Sequence, residues 1–272
     1  MKHRIMTASV LIPVFLTAVL WPDAIVFAVL MTVIVALASY EWALLKNVSR
    51  PFAIGHSAIT VVLISLIYIA NVTVIYFSLI AVATIFWCLA FFIVISYQHG
   101  RKLLPGSTSV FMVLGQVLMT STWCSLFYLK AFISMDGYIL LLLVLIIWAA
   151  DSCAYFIGRK WGKRRLASHV SPGKTWEGTL AGLFGGMGVG VIYAIVSAQG
   201  TSYYLFIMLV TLLATIFSVI GDLFESIIKR EANVKDSGQL LPGHGGVLDR
   251  IDSLVAAGPV FVLAFTLLGN IQ

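Results

Sequence analysis

Apolar runs separated by short polar connections fill this chain from one end to the other. A helix that crosses a bilayer needs roughly 17–25 mostly apolar residues. Nine runs approach or meet that length, at about 5–21, 24–45, 55–70, 73–96, 108–128, 137–158, 178–197, 203–228 and 253–270. The third is short for a span. The pattern predicts an all-α, polytopic integral membrane protein with about nine transmembrane helices.

The polar positions between the runs test that count. Cytoplasmic connections carry an excess of Lys and Arg. Lys2 and Arg4 precede the first run, and Lys46 and Arg50 fall in the second connection. Arg101 and Lys102 fall in the fourth. The sixth holds Arg159, Lys160, Lys163, Arg164, Arg165 and Lys174, and the eighth Lys229, Arg230, Lys235 and Arg250. Only Lys130 falls on the other side. A wrong number of spans would scramble this alternation. The N-terminus is therefore expected in the cytoplasm and the C-terminus outside.

Composition agrees. Of 272 residues, 61% are hydrophobic and 10% charged, against about 25% charged in soluble domains. The net charge is +6, but the cations lie against the membrane, so nucleic acid is not the partner expected. Cys88, Cys124 and Cys153 lie in apolar stretches without CxxC pairs, which argues against disulfides and structural zinc. Lys2 and Arg4 before an apolar run imitate a signal peptide. No small-residue cleavage site follows, and that run is read as the first span.

The chemistry-bearing residues crowd into the second half. Residues 1–136 read as a transmembrane scaffold and 137–272 as the catalytic region. The first signal runs from Gly221 to Ser253, GDLFESIIKREANVKDSGQLLPGHGGVLDRIDS. At the cytoplasmic end of the eighth span, Asp222, Ser226 and Lys229 or Arg230 share one helix face through spacings of three and four. A carboxylate at membrane depth is costly and usually functional. With a hydroxyl and cations one turn on, it suits Mg²⁺ holding a polyphosphate. Pro242-Gly243-His244-Gly245-Gly246 follows, a loop whose amides can form an anion nest. Asp249 and Asp252 then lead into the ninth span. The plainer alternatives are a solvated charged loop for the whole segment, a helix cap for Asp252 or Ser253, and a loop-structuring hydrogen bond for His244.

The second signal is Asp151 to Gly178, DSCAYFIGRKWGKRRLASHVSPGKTWEG. Asp151 lies inside the sixth span, where buried pairing is its alternative role. Gly173-Lys174-Thr175 imitates the end of a Walker loop, but the glycine that motif needs five residues earlier is Ser168. The cations at 159–165 suit anionic headgroups, whereas Lys174 reads as a ligand contact. Gly178, Gly182, Gly186 and Gly190 make a close-packing face on the seventh span. His3, His56, His99 and His169 are scattered and suggest no metal.

The segment Ser226, Lys229-Arg230, Lys235-Asp236, His244-Gly245-Gly246 and Asp249-Arg250-Ile251-Asp252 resembles the signature of the phosphatidate cytidylyltransferases, also called CDP-diacylglycerol synthases. Asp151 through SPGKTWEG is similar to that family's second motif region, with a glycine where other members often have a second lysine. The resemblance implies transfer of CMP from CTP to phosphatidic acid, releasing pyrophosphate. It implies Mg²⁺, with a second metal ion left open, a bacterial inner membrane location and a homodimer. It makes Asp222 and Asp249 the metal ligands. Catalytic roles then fall on Asp222, Asp249, Lys229 and Ser226. Substrate contacts fall on Asp151, Ser171, Lys174, Arg230, Lys235, Asp236, His244, Gly245, Gly246, Arg250 and Asp252. Two rivals remain at this stage. An ion path could use Asp151 and Asp222, although no paired inverted repeat with broken spans is present. A CTP-dependent polyprenol kinase would need similar chemistry on an alcohol.

Overall fold

A computed structural model describes residues 13, 15–20, 23–101, 104, 106–241, 243 and 245–269. His3, Lys2, Arg4, Lys102, Pro242 and His244, all singled out above, lie outside the described residues. So does most of the first expected span, of which residues 15–20 are helical.

Eight helices among the described residues are long and apolar enough to cross a membrane. They are α1 (Ala24–Leu44), α2 (Arg50–Ala70), α3 (Thr73–Gln98), α4 (Thr108–Tyr128), α5 (Tyr138–Trp161), α6 (Trp176–Ser197), α7 (Thr201–Glu231) and α8 (Leu248–Gly269). They match expected spans two to nine. The chain is an integral membrane protein of all-α class. Its one departure among the described residues is a short antiparallel hairpin between α5 and α6, β1 (Arg165–Ala167) with β2 (Ser171–Thr175).

Local chemistry sets the helix ends. Asp23 caps α1, its carboxylate accepting from the Ile25 amide at 2.7 Å. Ser49 caps α2, and Pro51 follows within the first turn, where its missing N–H costs nothing. The short third span therefore becomes a full 21-residue helix. Asn71, with φ 47°, closes α2. Helix α4 runs on into a π turn, Leu129–Ile133. Helices α7 and α8 extend beyond their apolar windows, so Asp249 lies in the first turn of α8, not in the preceding loop.

The chain divides into two compact units: Met1–Ala83, Leu104–Leu141 and Ile228–Asp252; and Thr84–Leu103, Leu142–Ile227 and Ser253–Gln272. This is a partition of packing, distinct from the functional division at residue 136. In the first unit, Trp42 stacks on Phe111 at 4.6 Å. Beside them lies a buried polar network. The Ser39 and Thr60 hydroxyls are 2.6 Å apart, and Thr60 donates to Gln116 Oε1 at 2.8 Å. His56 Nε2 lies 3.1 Å from the Met112 carbonyl and Nδ1 3.0 Å from Ser39 Oγ. His56 is thus held by hydrogen bonds inside the first unit.

In the second unit the glycine face of α6 has found its partners. A Cβ at Gly178 or Gly182 would meet the carbonyls of Ala154 or Ala150 on α5. A Cβ at Gly186 or Gly190 would meet Thr215 or Thr211 on α7. The small-residue stripe serves close packing within the chain.

Candidate active site

Two charged groups are built from predicted site residues, Lys174, Asp222 and Ser226 in one unit and Lys229, Asp249, Gly245 and Gly246 in the other. In the second unit, β2 supplies Lys174 and α7 supplies Asp222 and Ser226. Lys174 Nζ lies 2.5 Å from Asp222 Oδ2. Ser226 donates to Asp222 Oδ1 at 3.4 Å, which is the one-face geometry expected of residues four apart on a helix.

The hairpin that carries Lys174 is fixed at its base. Thr175 caps α6, its hydroxyl accepting from the Gly178 amide at 3.1 Å. Glu177 in the first turn of α6 reaches back to accept from the Lys163 and Arg164 amides at 3.0 and 3.2 Å. Trp176 N–H donates to the Arg164 carbonyl at 2.9 Å. The Arg165 guanidinium donates to the Pro172 carbonyl. A Cβ on Gly162 would run into Thr175, so the chain can approach closely there only as glycine. At the other end of the hairpin, nothing crowds Gly173.

In the first unit, α7 ends in a left-handed Asn233, φ 57°. Val234 N–H donates to Lys229 O and Asn233 N–H to Arg230 O, the Schellman arrangement that turns the chain out of a helix. Lys229 Nζ then meets Asp249 Oδ1 at 2.6 Å. The other oxygen, Oδ2, accepts from the amides of Ser237 at 2.9 Å and Gly246 at 2.8 Å. Gly245 has φ +81°, and a Cβ there would lie 2.8 Å from Asp249 Oδ2. Only glycine suits that position on both counts. Leu241 N–H donates to the Gly245 carbonyl at 3.0 Å and closes the turn.

A residue absent from the sequence reading completes this group. Glu41, on α1, is 1% exposed. Its Oε2 accepts from the Leu248 amide at 2.8 Å and from the Ser237 hydroxyl at 3.3 Å. The one sequence signal was a lone carboxylate in an otherwise uncharged span, the kind of residue that is functional by default.

The remaining predicted residues are more open. Asp151, Arg230, Lys235, Asp236 and Arg250 are exposed, while Ser171 and Asp252 are half-buried. Asp236 packs beside Gly245.

The donors suit a hard divalent cation unequally. Mg²⁺ is usually held by one or two carboxylates, with waters and substrate phosphates completing its shell. Asp222 is 31% exposed and keeps room for such a shell. Asp249 is 6% exposed and already accepts three bonds, of about four that a carboxylate can take. It has one position left for a metal. No group of three or more His, Cys, Asp or Glu side chains arranged to hold a metal is found among the described residues. A site completed by substrate oxygens requires none.

Comparison with known proteins bears on what these groups serve. The model of the cytidylyltransferase family matches residues 2–268. A phosphatidate cytidylyltransferase of Pseudomonas aeruginosa is 36% identical over 262 residues, which is 96% of this chain and 95% of that protein. One of Haemophilus influenzae is 34% identical over 284 residues, covering 96% and 97%. One of Bacillus subtilis is 46% identical over 121 residues, 44% of this chain. With a match that runs over nearly its whole length, this chain belongs to the cytidylyltransferase family.

Proposed function

We propose that this protein is a phosphatidate cytidylyltransferase, which transfers CMP from CTP to phosphatidic acid and releases pyrophosphate. The observation that carries the reading is the near-complete coverage of both chains in the match to the Pseudomonas aeruginosa relative. The fold agrees with it: eight helices long and apolar enough to cross a membrane suit an enzyme whose acceptor is a membrane lipid.

The lipid phosphate is already an anion, so its oxygen attacks the α-phosphorus of CTP with little need for proton transfer. The bond from that phosphorus to the pyrophosphate oxygen breaks. The barrier is the repulsion between two highly charged groups. Asp222 and Asp249 would hold Mg²⁺, which when bound neutralises part of that charge. Lys174 and Ser171, on the hairpin, would hold the nucleotide. Lys174 is 25% exposed beside Asp222, and a nucleotide phosphate would compete with that carboxylate for its ammonium group. Lys229, Arg230, Lys235 and Arg250 would stabilise the leaving pyrophosphate. His244 and the amides of Gly245 and Gly246 would contact phosphate oxygens. Asp151, Asp236 and Asp252 would complete the polar surroundings of the substrates.

The distribution of Lys and Arg supports a cytoplasmic N-terminus and a cytoplasmic site, where CTP is found. The bacterial relatives support the inner membrane as its location, and a homodimer is the expected assembly.

The test is product analysis in detergent with phosphatidic acid, Mg²⁺ and CTP labelled either on the base or at the γ-phosphate. Base label entering lipid supports cytidylyl transfer. Label entering lipid only from the γ-phosphate would replace this reading with a lipid kinase. Turnover with dCTP, ATP and UTP then defines nucleotide selectivity.

A further inference from the structure

We infer that Glu41 is a positioning residue for Asp249. It clamps the chain from Ser237 to Leu248 and so fixes where the Asp249 carboxylate stands. The inference rests on the proposed function only in giving Asp249 a part in the reaction.

The starting point is cost. Glu41 is the one charged residue of α1 and is 1% exposed. A carboxylate in such a place persists only if strong local bonds compensate its desolvation. Its bonds go to a single stretch of chain. The Leu248 amide is one of the helix-starting N–H groups that α8 cannot satisfy internally. Glu41 caps it from a different helix, its Oε2 accepting at the positive end of α8. The second bond comes from the Ser237 hydroxyl.

Those partners are also the frame of Asp249. Ser237 donates its amide to Asp249 and its hydroxyl to Glu41. Gly246 donates its amide to Asp249, while its bare Cα makes room for Glu41, which a Cβ there would strike. Leu248, held by Glu41, is the residue before Asp249. Gly238 is fitted to the same wedge, since a Cβ there would also strike the Glu41 carboxylate. The two carboxylates thus grip the same loop, Glu41 from α1 and Asp249 from within. Loss of the first leaves Ser237, Gly246 and Leu248 free to shift, and Asp249 with them.

The experiment compares Glu41→Ala, Glu41→Gln, Gly238→Ala and the Glu41→Ala/Gly238→Ala double variant in the full-length protein in detergent. Three quantities are measured: kcat and KM for CTP, thermal unfolding, and amide hydrogen exchange across 237–249. Glu41→Ala is expected to lower kcat by about 10–100-fold, the usual range for residues that orient a metal-binding or catalytic group. It should also speed exchange across 237–249 while peptides from α6 stay protected. Glu41→Gln keeps an acceptor oxygen of the same reach and should recover most of both. Gly238→Ala should reproduce the Glu41→Ala defects, and the double variant should be little worse than either single one, because both act on one contact.

Unchanged exchange across 237–249 in folded Glu41→Ala, with or without lost turnover, overturns the inference, and additive defects in the double variant do so too. If Glu41→Ala fails to fold, Gly238→Ala still decides the matter: faster exchange across 237–249 with lowered kcat supports the clamp, and unchanged exchange overturns it. If the wild-type protein transfers no cytidylyl group, the functional proposal fails instead, and the exchange data still report on the clamp.

Discussion

Lys174 on a β-hairpin and Asp222 on a membrane helix form an ion pair of 2.5 Å at side-chain exposures of 25% and 31%. A pair that open to solvent contributes only about 0–1 kcal/mol to stability. Its presence in so apolar a chain therefore points to chemistry. Lys174→Met and Asp222→Asn should unfold at nearly the wild-type temperature. Turnover should fall by about 10²–10³-fold in Asp222→Asn, the scale of losing one charge-stabilising group. Lys174→Met should raise KM for CTP. Parallel thermal unfolding and steady-state kinetics check this, and a large drop in unfolding temperature would make the pair structural.

The opposite balance is expected for Lys229 and Asp249, whose side chains are 13% and 6% exposed. Breaking a buried pair leaves a charge without its partner, at a cost of about 3–5 kcal/mol. Lys229→Met and Asp249→Asn should each destabilise the protein strongly. The double neutral variant should be more stable than the sum of the two losses implies, because it leaves no orphan charge. All three should be inactive. Equal, additive destabilisation would show that the two side chains do not depend on one another.

These two pairs mark what the sequence could and could not disclose. Asp222 and Ser226 were readable because their relation is local, four residues on one helix, and their hydrogen bond follows from that spacing. The hairpin was not. Ser171-Pro172-Gly173-Lys174-Thr175 has little strand character, and what fixes it is Glu177 bonding back to residues 163 and 164. The start of α8 was placed at 253 by its apolar window. It begins at 248 because Glu41 satisfies the Leu248 amide, a contact between residues far apart in the chain. Charge periodicity and apolar runs report on local structure and on the bilayer. They carry no information on which helix supplies a distant cap.

The glycine stripe was legible as a packing face, though its partners were not, and it yields an internally controlled test. A Cβ at Gly190 would lie 2.6 Å from Thr211 Oγ1, and one at Gly182 would lie 2.9 Å from the Ala150 carbonyl. Gly190→Ala and Gly182→Ala should each cost about 1–3 kcal/mol through overpacking. Gly188 is on the same helix, with nothing within 4 Å of where its Cβ would be. Gly188→Ala should be neutral or stabilising by up to about 1 kcal/mol, through helix propensity alone. Unfolding temperatures of the three variants in one detergent separate these outcomes.

Lys130 was the one cation that fell outside the cytoplasmic set, and its surroundings explain why. It is fully buried at the π turn that ends α4. Its Nζ donates to the carbonyls of Val19 at 2.8 Å and Met135 at 2.9 Å. The side chain donates to backbone carbonyls on two segments, so its charge is spent inside the fold and not at a surface. Lys130→Met keeps the apolar stem and removes both donations. It should destabilise the protein by about 1–3 kcal/mol for each acceptor left unsatisfied. Turnover per folded molecule should not change, because no proposed substrate contact involves this residue. Thermal unfolding together with activity normalised to folded protein checks both halves. Wild-type stability in Lys130→Met would mean that the two carbonyls find donors elsewhere, and the lysine would then have no structural reason to be buried.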